Sequence, residues 1–166
     1  MQKVRGYSSV KIFIFAVFLC VACALFIFCM SSEVATASAE RSGGIADIIA
    51  PIINDKFDSL DEEAKEAYLS KIDHVIRKIA HFCIYATLGA LFAFASLYYE
   101  RTWKKHILLP QLFGSLYAAS DEIHQSFVPG RGPLFTDVVL DSAGVFCGII
   151  FTVAVAKFVI GKIQKR

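Results

Sequence analysis

The sequence predicts an all-α membrane protein, a bundle of four transmembrane helices with a long outer segment between helices 1 and 2. The 166-residue chain is 56% hydrophobic and has a mean hydropathy of +0.56. It contains four apolar runs of about 20 residues, the length that an α-helix needs to cross a bilayer. Because the formal net charge is only +2, no nucleic-acid partner is expected.

The four runs predict the organisation of a single membrane domain over residues 1–166. The predicted spans are residues 10–30, 79–99, 107–125 and 137–160. Residues 31–78 are predicted to form an extracytoplasmic segment with amphipathic helices. One of these helices is indicated by isoleucines at helical spacing, namely Ile45, Ile48, Ile49, Ile52 and Ile53. Two interpretations remain open, short helices on the outer membrane surface or a lid over an outer pocket.

The distribution of basic residues predicts the orientation. The segments before span one, between spans two and three, and after span four hold 10 of the 17 Lys and Arg residues against one acid, Glu100. Residues 31–78 hold 10 acids against six bases. Because basic residues favour the cytoplasmic side, we expect a multi-pass protein of the cell membrane with both termini cytoplasmic.

The start of the chain allows a second interpretation. Lys3 and Arg5 precede an apolar stretch and the sequence "ATASA", which is also typical of a cleavable signal peptide. The apolar stretch is long for the core of a signal peptide, which favours an uncleaved membrane anchor. Cleavage would not change the orientation of the other three spans.

This orientation brings the polar ends of three spans to the outer face. Span two carries His81 at that end, and spans three and four carry Asp121, His124, Gln125, Asp137 and Asp141. The spacing i, i+3, i+4 places Asp121, His124 and Gln125 on one helix face and turns Glu122 away from it. We therefore expect one polar pocket that contains His81, Asp121, His124, Arg131 and Asp137.

Residues 127–133, "FVPGRGP", join spans three and four. Two prolines and two glycines predict a stiff turn. This turn presents Arg131, whose planar guanidinium suits a carboxylate or a phosphate. The alternative is that Arg131 only closes the hairpin by pairing with Asp137 or Glu122.

The chemistry of the cluster remains open between three interpretations. His81 and His124 with Asp121 or Asp137 could hold a hydrolytic metal ion, although no HExxH spacing is present. The second interpretation is metal-free acid–base catalysis, in which a histidine transfers a proton and a carboxylate orients the histidine. The third is that the polar groups only join helices together.

Candidate roles follow from the residue types. The catalytic candidates are His81, Asp121, His124 and Asp137. The binding candidates are Lys78, Tyr85, Glu122, Gln125, Arg131 and Asp141. No cofactor or particular metal is indicated. Deeper in the helices, Gly89, Gly144 and Gly148 continue the same faces, and glycines there would let the helices approach closely.

Three motifs together resemble the VanZ-like family of bacterial membrane proteins. They are "RKIAHFCIY" at residues 77–85, "SDEIHQSFVPGR" at 120–131 and "DVVLDSAG" at 137–144. The motifs cover spans two to four but not the outer segment. Asp141 departs from the family pattern, in which many members carry Asn. The resemblance implies a cell-envelope protein associated with low-level resistance to the glycopeptide teicoplanin.

The expected partners are the lipid bilayer and, by the resemblance, a lipid-linked envelope molecule or a lipoglycopeptide. One hypothesis is an enzyme that acts on such a molecule through the outer cluster. The other is a non-catalytic factor that binds a lipid or a partner and uses the polar cluster structurally. A transporter is less favoured, because the charges all lie at one level and mark no path across the bilayer.

Overall fold

The computed structural model describes residues 7–99 and 102–163, and within them it contains helices and no strand. The all-α prediction is therefore confirmed for the described chain. The helices are α1 Tyr7–Ser31, α2 Ala35–Ile53, α3 Glu62–Tyr99, α4 Lys105–Gln125 and α5 Phe135–Ile163, with a 3-10 turn at Phe57–Ser59. The basic residues Lys3, Arg5, Arg101, Lys165 and Arg166, which contribute to the predicted orientation, lie outside the described residues.

Three helices are long and apolar enough to cross a membrane, through the segments Val10–Ser31, Glu62–Tyr98 and Phe135–Ile163. Large hydrophobic side chains such as Phe18 and Phe151 project outward from α1 and α5. Exposed apolar surface of this kind is favourable only against lipid or a partner. The chain is therefore a multi-pass membrane protein. Helix α4 is not among the three segments, since its second half is rich in polar residues.

Helix α3 extends well upstream of the predicted membrane span. The predicted span covers residues 79–99, but α3 begins at Glu62 and runs without a break for 38 residues. The Oδ1 atom of Asp61 accepts a hydrogen bond from the backbone N–H of Ala64 at 2.8 Å and caps the helix start. At 1.5 Å per residue α3 is about 57 Å long, almost twice the ~30 Å of a bilayer core. Its first half therefore extends beyond the apolar layer.

Helix α2 packs against α3 through small side chains rather than through its isoleucines. Ser42, Ala46 and Ala50 are buried, and α3 is the main helix that α2 contacts. Ile48 and Ile52 are among the most exposed side chains of α2. The segment with the isoleucine spacing is helical, but Ile48, Ile52 and Ile53 point away from the protein.

Helices α3 and α5 are parallel and in close contact. Gly144 lies against the backbone carbonyl of Phe82, and Gly148 lies against that of Ala86. A Cβ atom at Gly148 would overlap the Ala86 oxygen. The close approach predicted from the glycines is confirmed. Because the residue numbers rise together along both helices, α3 and α5 run in the same direction.

Helices α1 and α4 are also parallel, and their ends lie at the same level. The hydroxyl of Tyr117 donates to the backbone oxygen of Ala24 at 2.6 Å. The hydroxyl of Ser31, at the end of α1, donates to Oδ2 of Asp121 at 2.8 Å. The two contacts lie seven residues apart in α1 and four residues apart in α4, and the residue numbers rise together. The two helices therefore run in the same direction.

Candidate functional site

A cavity of about 210 Å³ lies where α3, the end of α4 and the start of α5 meet. The loop between α4 and α5 closes one side of it. Except for His74, the charged and polar residues that line it come from the three predicted motifs. They are His74, Arg77, Lys78, His81, Glu122, Gln125, Arg131, Asp137 and Asp141.

The α3 and α5 sides of the cavity face each other through two charge pairs. The ammonium of Lys78 donates to Oδ1 of Asp137. Deeper in the cavity, Nδ1 of His81 lies 3.7 Å from Oδ2 of Asp141. Asp141 is 1% exposed, and neither of its carboxylate oxygens has a hydrogen-bond partner within the described chain. Since burying an ionised carboxylate alone is costly, His81 is the group placed to offset that charge.

A turn fixes Arg131 beside this pair. The N–H of Arg131 donates to the oxygen of Val128 at 3.1 Å, and Gly130 has a φ of 77°. Proline followed by a positive-φ glycine is the pattern of a type II turn. The predicted stiff turn is thus confirmed. The predicted alternative, a pairing of Arg131 with Asp137 or Glu122, is wrong, because Nη1 of Arg131 donates to Oε1 of Gln125 at 3.3 Å.

Glu122 lines the cavity, although its helical position predicts that it points elsewhere. Its Oε2 atom accepts the backbone N–H of Leu134 at 2.9 Å, and the side chain is 5% exposed. The reason is that α4 has neighbours on more than one face. The face that carries Glu122 meets the segment leading into α5, where backbone N–H groups need acceptors.

Asp121 and His124 face α1 and do not line the cavity. Asp121 accepts the hydrogen bond from Ser31. The ring of His124 stacks on Phe28 with 4.5 Å between centroids, and its Nε2 atom lies 3.0 Å from the Ser32 hydroxyl. The prediction that both residues share the pocket with His81 is therefore wrong. Helical spacing correctly places them on one face, but only packing decides that this face meets α1.

The predicted metal-ligand set does not converge. His81 lies in the cavity, whereas His124 lies on the α1 side of the bundle. Among residues 7–99 and 102–163, no group of three His, Cys, Asp or Glu side chains is arranged to hold a metal ion. Tyr85, a predicted binding residue, is fully buried beneath the cavity, with its ring 6.5 Å from that of His81. The Tyr85 ring is therefore stacked beside the ring of His81.

Arg77 and His74 line the cavity, although neither is among the predicted site residues. Arg77 precedes His81 by four residues, and His74 precedes Lys78 by four. In a helix that spacing places each residue one turn above its partner on the same face. Extending the predicted span upstream by two turns would therefore have included them.

A second cavity of about 280 Å³ adjoins the first, between α1, α2 and α3. Arg77, His81 and Arg131 line both cavities. The remaining lining is mostly apolar and includes Phe26, Ile27, Met30, Ile45, Ile76, Ala80 and Ile84. Helix α2 contributes Ser42 and Ile45 to the lining and so covers one side of this cavity.

The fold and the cavities define a multi-pass α-helical membrane protein with a charged site at one end of its bundle. The chain matches the model of the VanZ/LLP1 family over residues 14–157, and it belongs to that family. No curated protein and no solved structure matches it significantly. The match includes the first span and the outer segment, so the expectation that the resemblance leaves out the outer segment is wrong.

Proposed function

We propose that this VanZ/LLP1-family protein spans the cell membrane four times, with both termini in the cytoplasm. We further propose that its charged cavity opens to the outer face and binds a lipid-linked or surface-exposed molecule of the envelope. One observation carries the binding proposal. The cavity combines a buried Asp141 whose oxygens have no hydrogen bond within the described chain with an Arg131 whose partner is a neutral amide.

The fourth span of this proposal is α4. Its 21 residues extend about 31 Å, enough to cross the apolar layer. Its second half lies beside the last turns of α1, through the Ser31–Asp121 and Ala24–Tyr117 contacts. A bilayer that surrounds α1 therefore surrounds α4 as well. Its polar residues Gln111, Asp121 and Gln125 bond to other helices rather than to lipid.

The binding role is supported by the chemistry of the cavity. Ionisable groups inside a membrane are costly, and they are retained mainly where they serve a ligand, an ion or a proton. Within the described chain no serine, threonine or cysteine lines this cavity, so no side-chain nucleophile of those types is available. The charged groups instead suit the binding of a polar or charged ligand.

By the family resemblance, we propose that the bound molecule connects the protein to glycopeptide sensitivity. A deletion strain complemented with the wild-type gene tests this. We expect deletion to change the sensitivity to teicoplanin-type drugs or to envelope stress, and Asp141→Ala to behave like the deletion at normal membrane abundance. Unchanged sensitivity in the deletion strain would contradict the proposal. Loss of function that follows loss of protein would support the structural interpretation of the polar cluster.

A second candidate function is acid–base catalysis on the same molecule. It is favoured by one observation, the 3.7 Å separation between His81 and Asp141. A buried carboxylate beside an imidazole can orient the ring and stabilise its protonated form. His81→Gln separates the two functions. Catalysis should fall by about 100-fold or more, whereas binding that uses several charged groups should weaken only modestly.

A further inference from the structure

The two cavities meet at a pair of guanidinium groups. Arg77 and Arg131 line both the charged cavity and the apolar cavity. Arg77 forms an ion pair within its own helix, with Nη2 at 2.9 Å from Oδ2 of Asp73. Within the described chain Arg131 forms no ion pair with a carboxylate, and its Nη1 atom donates to the amide oxygen of Gln125. A guanidinium carries five N–H donors, so both groups retain donors for a further acceptor.

The like charges of this pair oppose each other. Burial lowers the pKa of Arg131, and the nearby Arg77 guanidinium lowers it further, whereas the carboxylates of Asp121, Glu33 and Glu122 only partly oppose this shift. The group nevertheless stays protonated at physiological pH. Two cations held close together in a partly buried place favour an anion between them, because one shared anion relieves the repulsion of both.

The apolar cavity provides a matching place for a hydrocarbon chain. Its volume of about 280 Å³ is near the lower limit of typical ligand cavities, about 300 Å³. Ile76, Ala80 and Ile84 form its α3 wall at successive turns, and Phe26 and Ile27 form its α1 wall. A column of apolar side chains along one helix suits an extended chain.

The junction of the two cavities also lies at a depth that suits an amphiphilic ligand. The apolar cavity contacts α1 at residues 26–31, in the last turns of a membrane span that ends at Ser31. The apolar layer of a bilayer gives way to the headgroup layer at the ends of such spans. A lipid phosphate and the first part of its chain would therefore stand at the level of the two arginines and the apolar cavity.

From these observations we propose that the paired cavities bind one phosphate-bearing anionic lipid, with its phosphate between Arg77 and Arg131 and one hydrocarbon chain in the apolar cavity under α2. This rests on the proposed function, because it names the chemical class of the envelope molecule. Planar guanidinium groups match phosphate oxygens with two hydrogen bonds each. Glu122 and Asp141 on the far side of the charged cavity would disfavour a second anionic group there.

The test is a lipid titration of the purified full-length protein in detergent, followed by native mass spectrometry. The probes are phosphatidylglycerol, phosphatidylcholine with the same chains, and glycerol 3-phosphate. We expect saturable binding of one phosphatidylglycerol with at least tenfold preference over phosphatidylcholine. Glycerol 3-phosphate should compete only weakly, since it lacks the chain. Equal binding of the two lipids, or full competition by glycerol 3-phosphate, would overturn the proposal.

Matched variants test the two halves of the site. Arg131→Gln should weaken phosphatidylglycerol binding about tenfold or more, whereas Lys71→Gln, which removes an exposed α3 cation outside both cavities, should not. Ala80→Trp should block the chain cavity, whereas Ala154→Trp adds the same bulk to an exposed position of α5 and should not. If Arg131→Gln is poorly folded by size-exclusion chromatography, Arg131→Lys replaces it. Wild-type binding in both site variants would contradict the proposal.

These binding results can be distinguished from failure of the proposed function. Suppose the lipid does not bind, but Asp141→Ala still removes function at normal abundance. The charged cavity would then serve another ligand, and only the lipid inference would fail. If deletion also leaves envelope sensitivity unchanged, the proposed function fails independently.

Discussion

The Nδ1 atom of His81 on α3 lies 3.7 Å from the Oδ2 atom of Asp141 on α5. One turn deeper, Gly144 of α5 lies against the backbone oxygen of Phe82 of α3. The same close approach of the two helices therefore sets both contacts. The position of the buried carboxylate relative to the imidazole depends on glycines that carry no chemistry of their own.

His81 and His124 should differ in their effect on function. His81 lines the charged cavity, whereas His124 stacks on Phe28 outside it. We expect His81→Gln to impair complementation of the deletion strain more than His124→Gln does, both at normal membrane abundance. Quantitative immunoblots of membranes provide the abundance control. Equal loss of function in the two variants would instead support a site that contains both histidines, as the sequence alone predicts.

Gly148→Ala should destabilise the bundle. The new Cβ atom would overlap the carbonyl of Ala86 on α3 and force the two helices apart. Overpacking of this kind costs about 1–3 kcal/mol, so we expect a lower midpoint of thermal unfolding in detergent. Gly161→Ala is the control, because nothing lies within 4 Å of a Cβ atom there. An unfolding midpoint that is unchanged in Gly148→Ala would argue against the close α3–α5 contact.

Gly130→Ala should disturb the turn that holds Arg131. Gly130 has a φ of 77°, and a residue with a Cβ atom in that conformation costs about 1–2 kcal/mol. We expect a lower unfolding midpoint than for the wild type. The matched control is Gly132→Ala, where a Cβ atom would meet nothing within 4 Å. Equal midpoints for the two variants would show that the strained turn is not required.

The orientation can be tested with single cysteines in a background that lacks the five native ones. Ser59→Cys lies in the segment before α3 and should react with a membrane-impermeant thiol reagent added to intact cells. Lys104→Cys lies before α4 and should react only after the membrane is permeabilised. The charge bias is the reason, because basic residues surround the second position. The opposite labelling pattern would reverse the proposed topology.

Much of the fold follows from local sequence. Apolar runs of bilayer length predict α1, the second half of α3, and α5, because a membrane admits a spanning chain only as a satisfied helix or barrel. The continuous α3 is less obvious. Residues 62–88 contain no glycine or proline, so nothing ends the helix at the membrane surface.

The residues that form the site are less well predicted from local sequence. Spacing along one helix predicts which residues share a face, and it correctly groups Lys78 with His81 and Asp137 with Asp141. It cannot predict which neighbour that face meets. Asp121 and Glu122 are adjacent carboxylates, 4% and 5% exposed, and both are buried because α4 packs against α1 on one side and leads into α5 on the other.

The sequence by itself determined the membrane class, the helical content, the charges at one end of the bundle and the family motifs. Each of these depends on local composition or on the order of residues. The tertiary structure decided that Glu122 and Arg77 line the cavity, that Asp121 and His124 face α1, and that α2 covers an apolar cavity. Those outcomes depend on contacts between residues up to about 90 positions apart, such as Ser31 with Asp121. Only the packing of whole helices brings such residues together.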